Sequence, residues 1–196
     1  MRTPKRFLCC GEEKRVSIHN DVEEILFTEQ QLAEICARIG AQINEDYKGK
    51  NLLLVSVLKG SLMFMADLMR ELTVPCAIDF LAVTSYGNGT KSSGEVRILK
   101  DLDQSLEGKD ILVIEDILDS GNTLSFLLKT LSARNPASIR LCTLLDKPER
   151  RTAPVYADYV GAQVEDKFIV GYGLDYAEAY RNLPYIGVLK HEIYEK

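Results

Sequence analysis

The chain has 196 residues, of which 46% are hydrophobic and 27% are charged. This balance is typical of a globular domain with one sizeable core and excludes a disordered chain. The net charge of -5 argues against binding to duplex DNA, because that affinity comes mainly from Lys and Arg, and no apolar run approaches the roughly 20 residues that span a bilayer. We therefore expect a single domain over residues 1–196 that binds neither nucleic acid nor membrane.

Residues 1–17 form a polar leader without the apolar stretch of a signal peptide, so we expect no export and a cytoplasmic location. Cys9 and Cys10 lie in this leader, which we expect to be flexible and to which we assign no role. None of the five cysteines belongs to a CxxC pair or has a His at metal-ligand spacing, as is typical of a reducing compartment. Cys36 and Cys142 lie in apolar segments and are expected to be buried.

A first helix is predicted after Thr28, which has the spacing of a capping box with Gln31. Apolar residues then repeat at helical spacing and define one buried stripe: Leu32, Ile35, Cys36, Ile39 and Ile43. We expect this helix to end near Gly49. The continuous apolar run over 51–58 (NLLLVSVL) predicts a strand that is covered on both faces.

A second helix is predicted over 61–72, followed by a strand over 76–85 and a neighbouring strand over 95–100. Between those two strands lies the segment 86–94 (YGNGTKSSG), whose three glycines and small polar residues cannot build a core. This composition predicts a mobile loop of the kind that closes over substrates.

The clearest strand is predicted over 111–114 (ILVI), with a helix over 123–133 and a further strand over 138–145. Strands that alternate with helices predict an α/β fold with a doubly wound parallel sheet, because parallel neighbours need crossover connections. Short strands over 168–173 and 185–189 follow, and we expect the tail, mainly 148–196, to form a smaller lobe.

The most informative segment is 113–124 (VIEDILDSGNTL), which joins a buried strand to a helix at the edge of the sheet where ligands bind. Its turn offers backbone N–H groups, hydroxyls and a helix dipole suited to a phosphate monoester, from Asp119, Ser120, Gly121, Asn122 and Thr123. Glu115 and Asp116 suit ribose hydroxyls or Mg²⁺, a hard cation that prefers oxygen ligands. An acidic helix cap alone would explain Asp119 or Ser120 but not the two acids before them.

This strand, acidic pair and phosphate loop resemble the signature of the type I phosphoribosyltransferases. From about Ile18 to Val188 the chain is most similar to their hypoxanthine-guanine members of the bacterial type. The resemblance implies the type I fold with a small C-terminal hood, and a Mg²⁺-dependent transfer in purine salvage. The 5-phosphoribosyl group of phosphoribosyl pyrophosphate would pass to hypoxanthine or guanine, with xanthine left open. Relatives are commonly dimers or tetramers, so the resemblance also implies a homodimer or homotetramer.

The resemblance also assigns residues to the pyrophosphate and to a closing loop. Lys59 and Gly60 match the family's pyrophosphate loop, in which the peptide before the lysine is typically cis, and Arg181 matches a further pyrophosphate contact. Lys59 is a cation at the carboxyl end of a strand, and Gly60 allows the backbone to approach an anion closely. Ser85 and Tyr86 fit the flexible loop that excludes water from the reacting sugar.

Four further residues are similar to the family's purine-binding set. Lys147 would donate to the exocyclic oxygen at purine position 6, which selects 6-oxopurines over adenine. Phe168 would stack on the base, the Ile169 backbone would pair with its edge, and Asp175 would contact the base edge, a metal or a metal-bound water. Without the resemblance, Lys147 would be a surface lysine and Phe168 a core residue.

By the same resemblance, Asp119 is the general base that takes the purine ring proton. One position departs from the pattern, because Asn122 stands where some relatives carry Lys. We expect that contact to come from the backbone, so the departure leaves function intact without adding positive charge.

Two other functions stay open. A regulator could use the same pocket to sense purine or pyrimidine supply and bind RNA or DNA through a basic face. Lys147, Phe168 and Asp175 and the lack of a dense Lys/Arg run argue against it. Alternatively, the acceptor could be adenine, orotate or uracil, against which Lys147 and the segment 168–175 (FIVGYGLD) argue.

Overall fold

The computed structural model describes residues 17–86 and 95–195. The predicted loop over 86–94 lies outside these residues apart from the backbone of Tyr86, and the leader with Cys9 and Cys10 also lies outside them. Within the described residues, no helix is both long and apolar enough to span a bilayer.

The described chain alternates strands and helices, with two short 3₁₀ turns at Ile18–Asp21 and Pro148–Arg150. In chain order the elements are β1 (Val22–Phe27), α1 (Glu29–Asp46), β2 (Leu52–Leu58), α2 (Leu62–Arg70), β3 (Cys76–Tyr86), β4 (Glu95–Lys100), β5 (Asp110–Leu118), α3 (Asn122–Ser132), β6 (Ser138–Asp146), β7 (Tyr159–Gln163), β8 (Ile169–Val170), β9 (Ile186–Leu189) and α4 (His191–Tyr194).

A six-stranded sheet in the order β4-β3-β2-β5-β6-β7 forms the centre of the molecule. Its neighbours pair in parallel except for β4, which runs antiparallel to β3 at one edge. Six of the seven residues of β2 are buried, as expected for a parallel strand that is covered on both faces. The predicted α/β fold with a doubly wound parallel sheet is therefore confirmed.

The predicted capping box is present at the start of α1. Thr28 Oγ1 accepts from the Gln31 N–H at 3.3 Å, and the Thr28 N–H donates to Gln31 Oε1 at 2.9 Å. The predicted stripe is buried at Leu32, Cys36, Ile39 and Ile43, while Ile35 is partly buried. The helix ends at Asp46, three residues before Gly49, whose φ of 72° lies in the left-handed region that glycine favours.

A second, three-stranded sheet has the order β1-β9-β8. One of its strands, β1, comes from the N-terminal side of the chain. Strand β7 lies in the predicted tail but does not join the small sheet, because it pairs with β6 of the large sheet. Strand β1 was not predicted, because its residues, VEEILF, do not alternate and its pairing with β9 is a long-range contact. We propose that this small sheet and its surrounding loops form the expected hood.

The buried position of β2 leads to a prediction about stability. Leu54 is fully buried within β2, and we expect Leu54→Ala to lower the free energy of unfolding by about 2–5 kcal/mol through lost apolar burial and a residual cavity. The same substitution at Leu99, which is 65% exposed on the edge strand β4, serves as the matched control and should change it by less than about 0.5 kcal/mol. Urea unfolding measures both values. Equal losses at the two positions would contradict this packing.

Candidate active site

A cavity of about 290 Å³ lies at the carboxyl ends of β2 and β5. These strands are parallel neighbours, so the loops that follow them meet at one edge of the sheet. Most of the predicted site residues line this cavity: Lys59, Gly60, Glu115, Asp116, Asp119, Ser120, Gly121, Thr123, Asp175 and Arg181. A larger hollow of about 430 Å³ beside α1 and α2 contains Arg181 but no other predicted site residue, so we place the site in the smaller cavity.

Some predicted residues do not line this cavity. Asn122, Lys147, Phe168 and Ile169 lie outside its wall. Ser85 and Tyr86 are the last two residues of β3, where their backbones pair with Val96 and Glu95 of β4. The structure therefore brings together the predicted phosphate, ribose and pyrophosphate residues except Asn122, and with them Asp175. The other three predicted purine-binding residues, Lys147, Phe168 and Ile169, lie outside this cavity.

The phosphate loop joins the end of β5 to the start of α3. Gly121 is the N-cap of α3 with a φ of 81°, a conformation that side chains other than glycine rarely adopt. The N-cap glycine has no side chain that could cap the helix, and the Asn122 N–H donates to Ser120 Oγ at 3.4 Å. The next first-turn N–H groups, of Thr123 and Leu124, have no side-chain partner among the described residues, as expected at an uncapped helix start. This turn is therefore not an ordinary acidic helix cap. The open amides of the turn suit a phosphate group.

The acidic pair lies deep in the cavity at the end of β5. Glu115 Oε2 is shielded from solvent and has no hydrogen-bond partner among the described residues. Burial, and secondly the neighbouring charge of Asp116, raise the pKa of Glu115 well above its usual value. Burial also raises the pKa of Asp116 to about 6, although the Ile117 N–H donates to its Oδ1 at 2.8 Å. Perturbed carboxyl groups of this kind are typical of functional sites.

The pyrophosphate loop begins directly after β2. The peptide between Leu58 and Lys59 is cis, as the family resemblance implies. A Cβ atom at Gly60 would overlap the Asp116 carboxylate, and a Cβ atom at Gly173 would overlap the Gly60 carbonyl. Glycine at both positions lets this loop contact the acidic pair on one side and the segment before Asp175 on the other.

Arg181 and Asp175 form an ion pair at the mouth of the cavity, with 2.8 Å between Nη2 and Oδ1. Arg181 Nη1 also donates to the Gly173 carbonyl at 2.8 Å, and its Nε is shielded from solvent without a partner among the described residues. The guanidinium is therefore held in place by contacts with the segment from Gly173 to Asp175.

Lys147 is 7% exposed, so it is not the surface lysine that its sequence context alone would indicate. Its Nζ donates to the Lys167 carbonyl at 2.6 Å and lies 3.4 Å from Asp166 Oδ1. These contacts hold the ammonium group against the segment that immediately precedes Phe168. The predicted purine contacts Lys147 and Phe168 are therefore close together in the structure.

Phe168 is 38% exposed and is not a core residue. Its ring stacks on Tyr194 of α4 with 4.7 Å between centroids and 17° between planes, and the edge of Tyr176 meets it at 5.4 Å. Ile169 begins β8, where it pairs with Val188 of β9, and the residue is 7% exposed. The contact between Phe168 and Tyr194 was not predicted.

Two arginines that sequence reasoning missed contact the phosphate loop. The Arg151 guanidinium donates to the carbonyls of Leu118 at 3.1 Å and Asp119 at 2.9 Å, and it pairs with Asp146. Arg150 Nε lies 2.8 Å from Asp119 Oδ1, without the geometry of a hydrogen bond. The only sign of these contacts in the sequence is the pair of adjacent arginines after the LLDKP segment. Arginines usually lie on the exposed surface, so this pair did not stand out.

The acidic pair suits a divalent cation. Among residues 17–86 and 95–195, no cluster of three or more His, Cys, Asp or Glu could hold a metal ion by itself. Mg²⁺ is usually bound through one or two carboxylates together with substrate phosphates and water. The unpaired Glu115 oxygen and the adjacent Asp116 carboxyl fit that mode of binding, with the remaining ligands coming from a phosphorylated substrate.

The raised pKa values predict how stability depends on pH. Between the ordinary carboxyl pKa and the raised folded values, the native protein binds more protons than the unfolded chain, so these groups make stability fall as pH rises. We expect Glu115→Gln to raise the free energy of unfolding near pH 7, because the glutamine carries no charge for burial to disfavour. This gain should disappear near about pH 4, where the unfolded carboxyl is also protonated.

Urea unfolding of the metal-free protein at both pH values measures this effect. Glu107→Gln, at an exposed position, is the matched control and should change stability little at either pH. A Glu115→Gln variant that is less stable than the original protein near neutral pH would show that the carboxylate is stabilised by its surroundings, contrary to this interpretation.

Comparison with known proteins agrees with the geometry of the site. The phosphoribosyl transferase domain family matches residues 22–177. A curated hypoxanthine-guanine phosphoribosyltransferase from Staphylococcus aureus is 53% identical over 177 residues, which cover 90% of this chain and 99% of that protein.

Solved structures show the same relationship. A crystal structure of a hypoxanthine phosphoribosyltransferase from Staphylococcus aureus has a TM-score of 0.90 and 52% identity, covering 94% of this chain and all of that one. A hypoxanthine-guanine phosphoribosyltransferase from Bacillus anthracis has a TM-score of 0.81 and 44% identity, covering 86% of this chain and 99% of that one. The resemblance found in the sequence is thus confirmed, and the chain belongs to the phosphoribosyltransferase family.

Proposed function

We propose that this phosphoribosyltransferase acts in purine salvage and transfers the 5-phosphoribosyl group from phosphoribosyl pyrophosphate to hypoxanthine, guanine or both. The products are IMP or GMP and pyrophosphate. The observation that carries the proposal is the 290 Å³ cavity, in which helix amides, a half-buried acidic pair and two cations converge. The names of the Staphylococcus aureus and Bacillus anthracis relatives support a 6-oxopurine as the acceptor.

The order of groups along the sheet edge suits phosphoribosyl pyrophosphate. The 5′-phosphate binds at the start of α3, through open amides and the hydroxyls of Ser120 and Thr123. Glu115 and Asp116 bind the ribose hydroxyls between the two loops. The pyrophosphate binds at the loop after β2, through Lys59, the Gly60 backbone and Arg181, whose shielded Nε is available for it.

The purine binds against the cluster beside the cavity. Phe168 stacks on the ring, the Ile169 backbone and Asp175 contact its edge, and Lys147 donates to the oxygen at position 6. The support for Lys147 is its burial and its attachment to the Lys167 carbonyl, which places a cationic donor next to Phe168. Adenine carries an amino group at position 6 that cannot accept this hydrogen bond well, so the site favours 6-oxopurines.

The chemistry follows from the charges around the reacting sugar. Lys59 and Arg181 stabilise the negative charge that develops on the departing pyrophosphate. Asp119 then takes the ring proton of the attacking purine as general base, and Arg150 beside its carboxylate helps to fix its orientation. Lys147 stabilises negative charge that accumulates on the purine oxygen. We assign Ser85 and Tyr86 to the loop that excludes water during transfer.

The family implies a divalent metal, and we propose that it is Mg²⁺. Glu115 and Asp116 would hold it together with substrate oxygens, and Asp175 would contact it directly or through water. When bound, Mg²⁺ supplies positive charge that neutralises the leaving pyrophosphate.

Two details of the proposal come from the resemblance to relatives. The first is that the protein is a homodimer or homotetramer, which we propose. The second is whether xanthine is also an acceptor, which the assay below decides when it is repeated with xanthine. The less favoured alternative is a regulator that senses purine or pyrimidine supply and binds nucleic acid. Such a regulator does not need the buried Lys147, to which we assign purine recognition.

The proposal predicts an activity that can be followed by ultraviolet absorbance. The protein, phosphoribosyl pyrophosphate and Mg²⁺ should form nucleotide with hypoxanthine and guanine but not with adenine, orotate or uracil, and chelation of the metal should stop the reaction. Asp119→Asn should lower turnover by about 10²- to 10⁴-fold and leave substrate binding mostly intact, because only proton transfer is removed. Original turnover in this variant would exclude Asp119 as the base.

A second prediction concerns the choice of base. Lys147→Gln should lower kcat/KM for hypoxanthine and guanine by roughly 10-fold or more, because a charged hydrogen bond contributes about 1.5–3 kcal/mol. Discrimination against adenine should fall with it, since the feature that favours a 6-oxo group is lost. Lys129→Gln, on the exposed side of α3, is the control and should keep both values. Unchanged discrimination in Lys147→Gln would rule out this residue as the selector.

A further inference from the structure

A carboxylate of the protein itself contacts both cations of the pyrophosphate site. Glu178 Oε2 lies 2.9 Å from Lys59 Nζ and 3.5 Å from Arg181 Nη2. The hydrogen bond from Lys59 is the main reason why the pKa of Glu178 is lowered, so Glu178 is ionised at neutral pH. One anionic side chain therefore lies beside the two positive groups that we assign to the pyrophosphate.

The backbone around Glu178 fixes where this carboxylate can reach. Tyr176 and Ala179 exchange backbone hydrogen bonds of 3.2 and 2.9 Å, and the Glu178 N–H donates to Asp175 Oδ2 at 2.9 Å. Ala177 and Glu178 adopt φ values of 50° and 64°, a left-handed conformation that is unfavourable for residues other than glycine. The turn therefore fixes the backbone from which the Glu178 side chain reaches Lys59, and that side chain is 66% exposed.

Stability does not account for this arrangement. The side chains of Lys59 and Glu178 are 64% and 66% exposed, and ion pairs between such exposed groups contribute little to folding. Arg181 already has Asp175 as a closer partner, at 2.8 Å. The contact has a clearer consequence for binding, because an incoming phosphate anion needs the same cations and is repelled by a carboxylate that stays beside them.

We propose that Glu178 is a placeholder anion that occupies the pyrophosphate site when it is empty and must move aside when pyrophosphate or phosphoribosyl pyrophosphate binds. Its competition weakens the binding of both ligands and thereby speeds the release of the pyrophosphate product. This inference rests on the proposed function, which assigns Lys59 and Arg181 to the pyrophosphate. In this proposal, the turn that ends at Ala179 sets the affinity of the site for pyrophosphate and phosphoribosyl pyrophosphate.

The test is calorimetric titration of pyrophosphate, with Mg²⁺ present, into the full-length protein and its variants. Glu178→Gln keeps the shape of the side chain and removes its charge, so pyrophosphate should bind about 2- to 10-fold more tightly, and KM for phosphoribosyl pyrophosphate should fall in parallel. The gain should shrink at high salt, because exposed charges are screened. Glu45→Gln removes an equally exposed charge from the remote pair with Lys48 and should leave pyrophosphate affinity unchanged.

A second pair of variants tests whether the effect passes through Lys59. In a Lys59→Gln background, Glu178→Gln should improve pyrophosphate affinity much less than it does in the original protein, because the competing contact is already lost. An equal gain in both backgrounds overturns the proposal, as does unchanged or weaker pyrophosphate binding in Glu178→Gln alone. The thermal unfolding midpoint of each variant shows whether it is folded.

The same preparations separate this inference from the proposed function. If the original protein makes nucleotide from hypoxanthine but Glu178→Gln gains no affinity, the placeholder role is wrong and the proposed function stands. If the original protein neither makes nucleotide nor binds pyrophosphate, both are overturned.

Discussion

The parallel pairing of β2 with β5 is the constraint on which the rest of the site depends. Residues Leu52 to Ser56 pair in register with Asp110 to Ile114, so the two strands end at the same edge of the sheet. A loop with a cation and a loop with helix amides are thereby placed side by side around the two acids near the end of β5. The helices on both faces bury these strands, so the site is built on buried strands of the central sheet.

The negative and the positive groups of the empty site are compensated to different degrees. Burial keeps the pKa of Glu115 high, and Asp116 beside it adds a second charge that the empty protein does not fully pair. The positive groups of the site, in contrast, are already paired with carboxylates of the segment from Asp175 to Glu178. A cation and a polyphosphate together would compensate both sets of charges.

Contacts from the C-terminal half of the chain hold this arrangement in place. The Arg151 guanidinium joins the carbonyls at the end of β5 to Asp146 at the end of β6, so the phosphate loop is supported from the neighbouring strand. Tyr194 packs on Phe168 at the edge of the small sheet. Arg151 and Asp146 thus support the loop between β5 and α3, and α4 covers one face of the Phe168 ring.

The sequence by itself determined helices α1, α2 and α3, the strands of the large sheet except β7, the acidic pair and the phosphate loop. Hydrophobic periodicity, capping and a short strand–turn–helix motif are local properties, which is why the sequence alone predicted them. Tertiary structure alone decided that β1 joins the small sheet, that Arg150 and Arg151 support the loop, and that Glu178 meets Lys59, which is 119 residues away in the chain. The physical reason is that no local spacing specifies which distant charges meet, since the crossovers of the sheet and the left-handed turn at Ala177 and Glu178 set those distances.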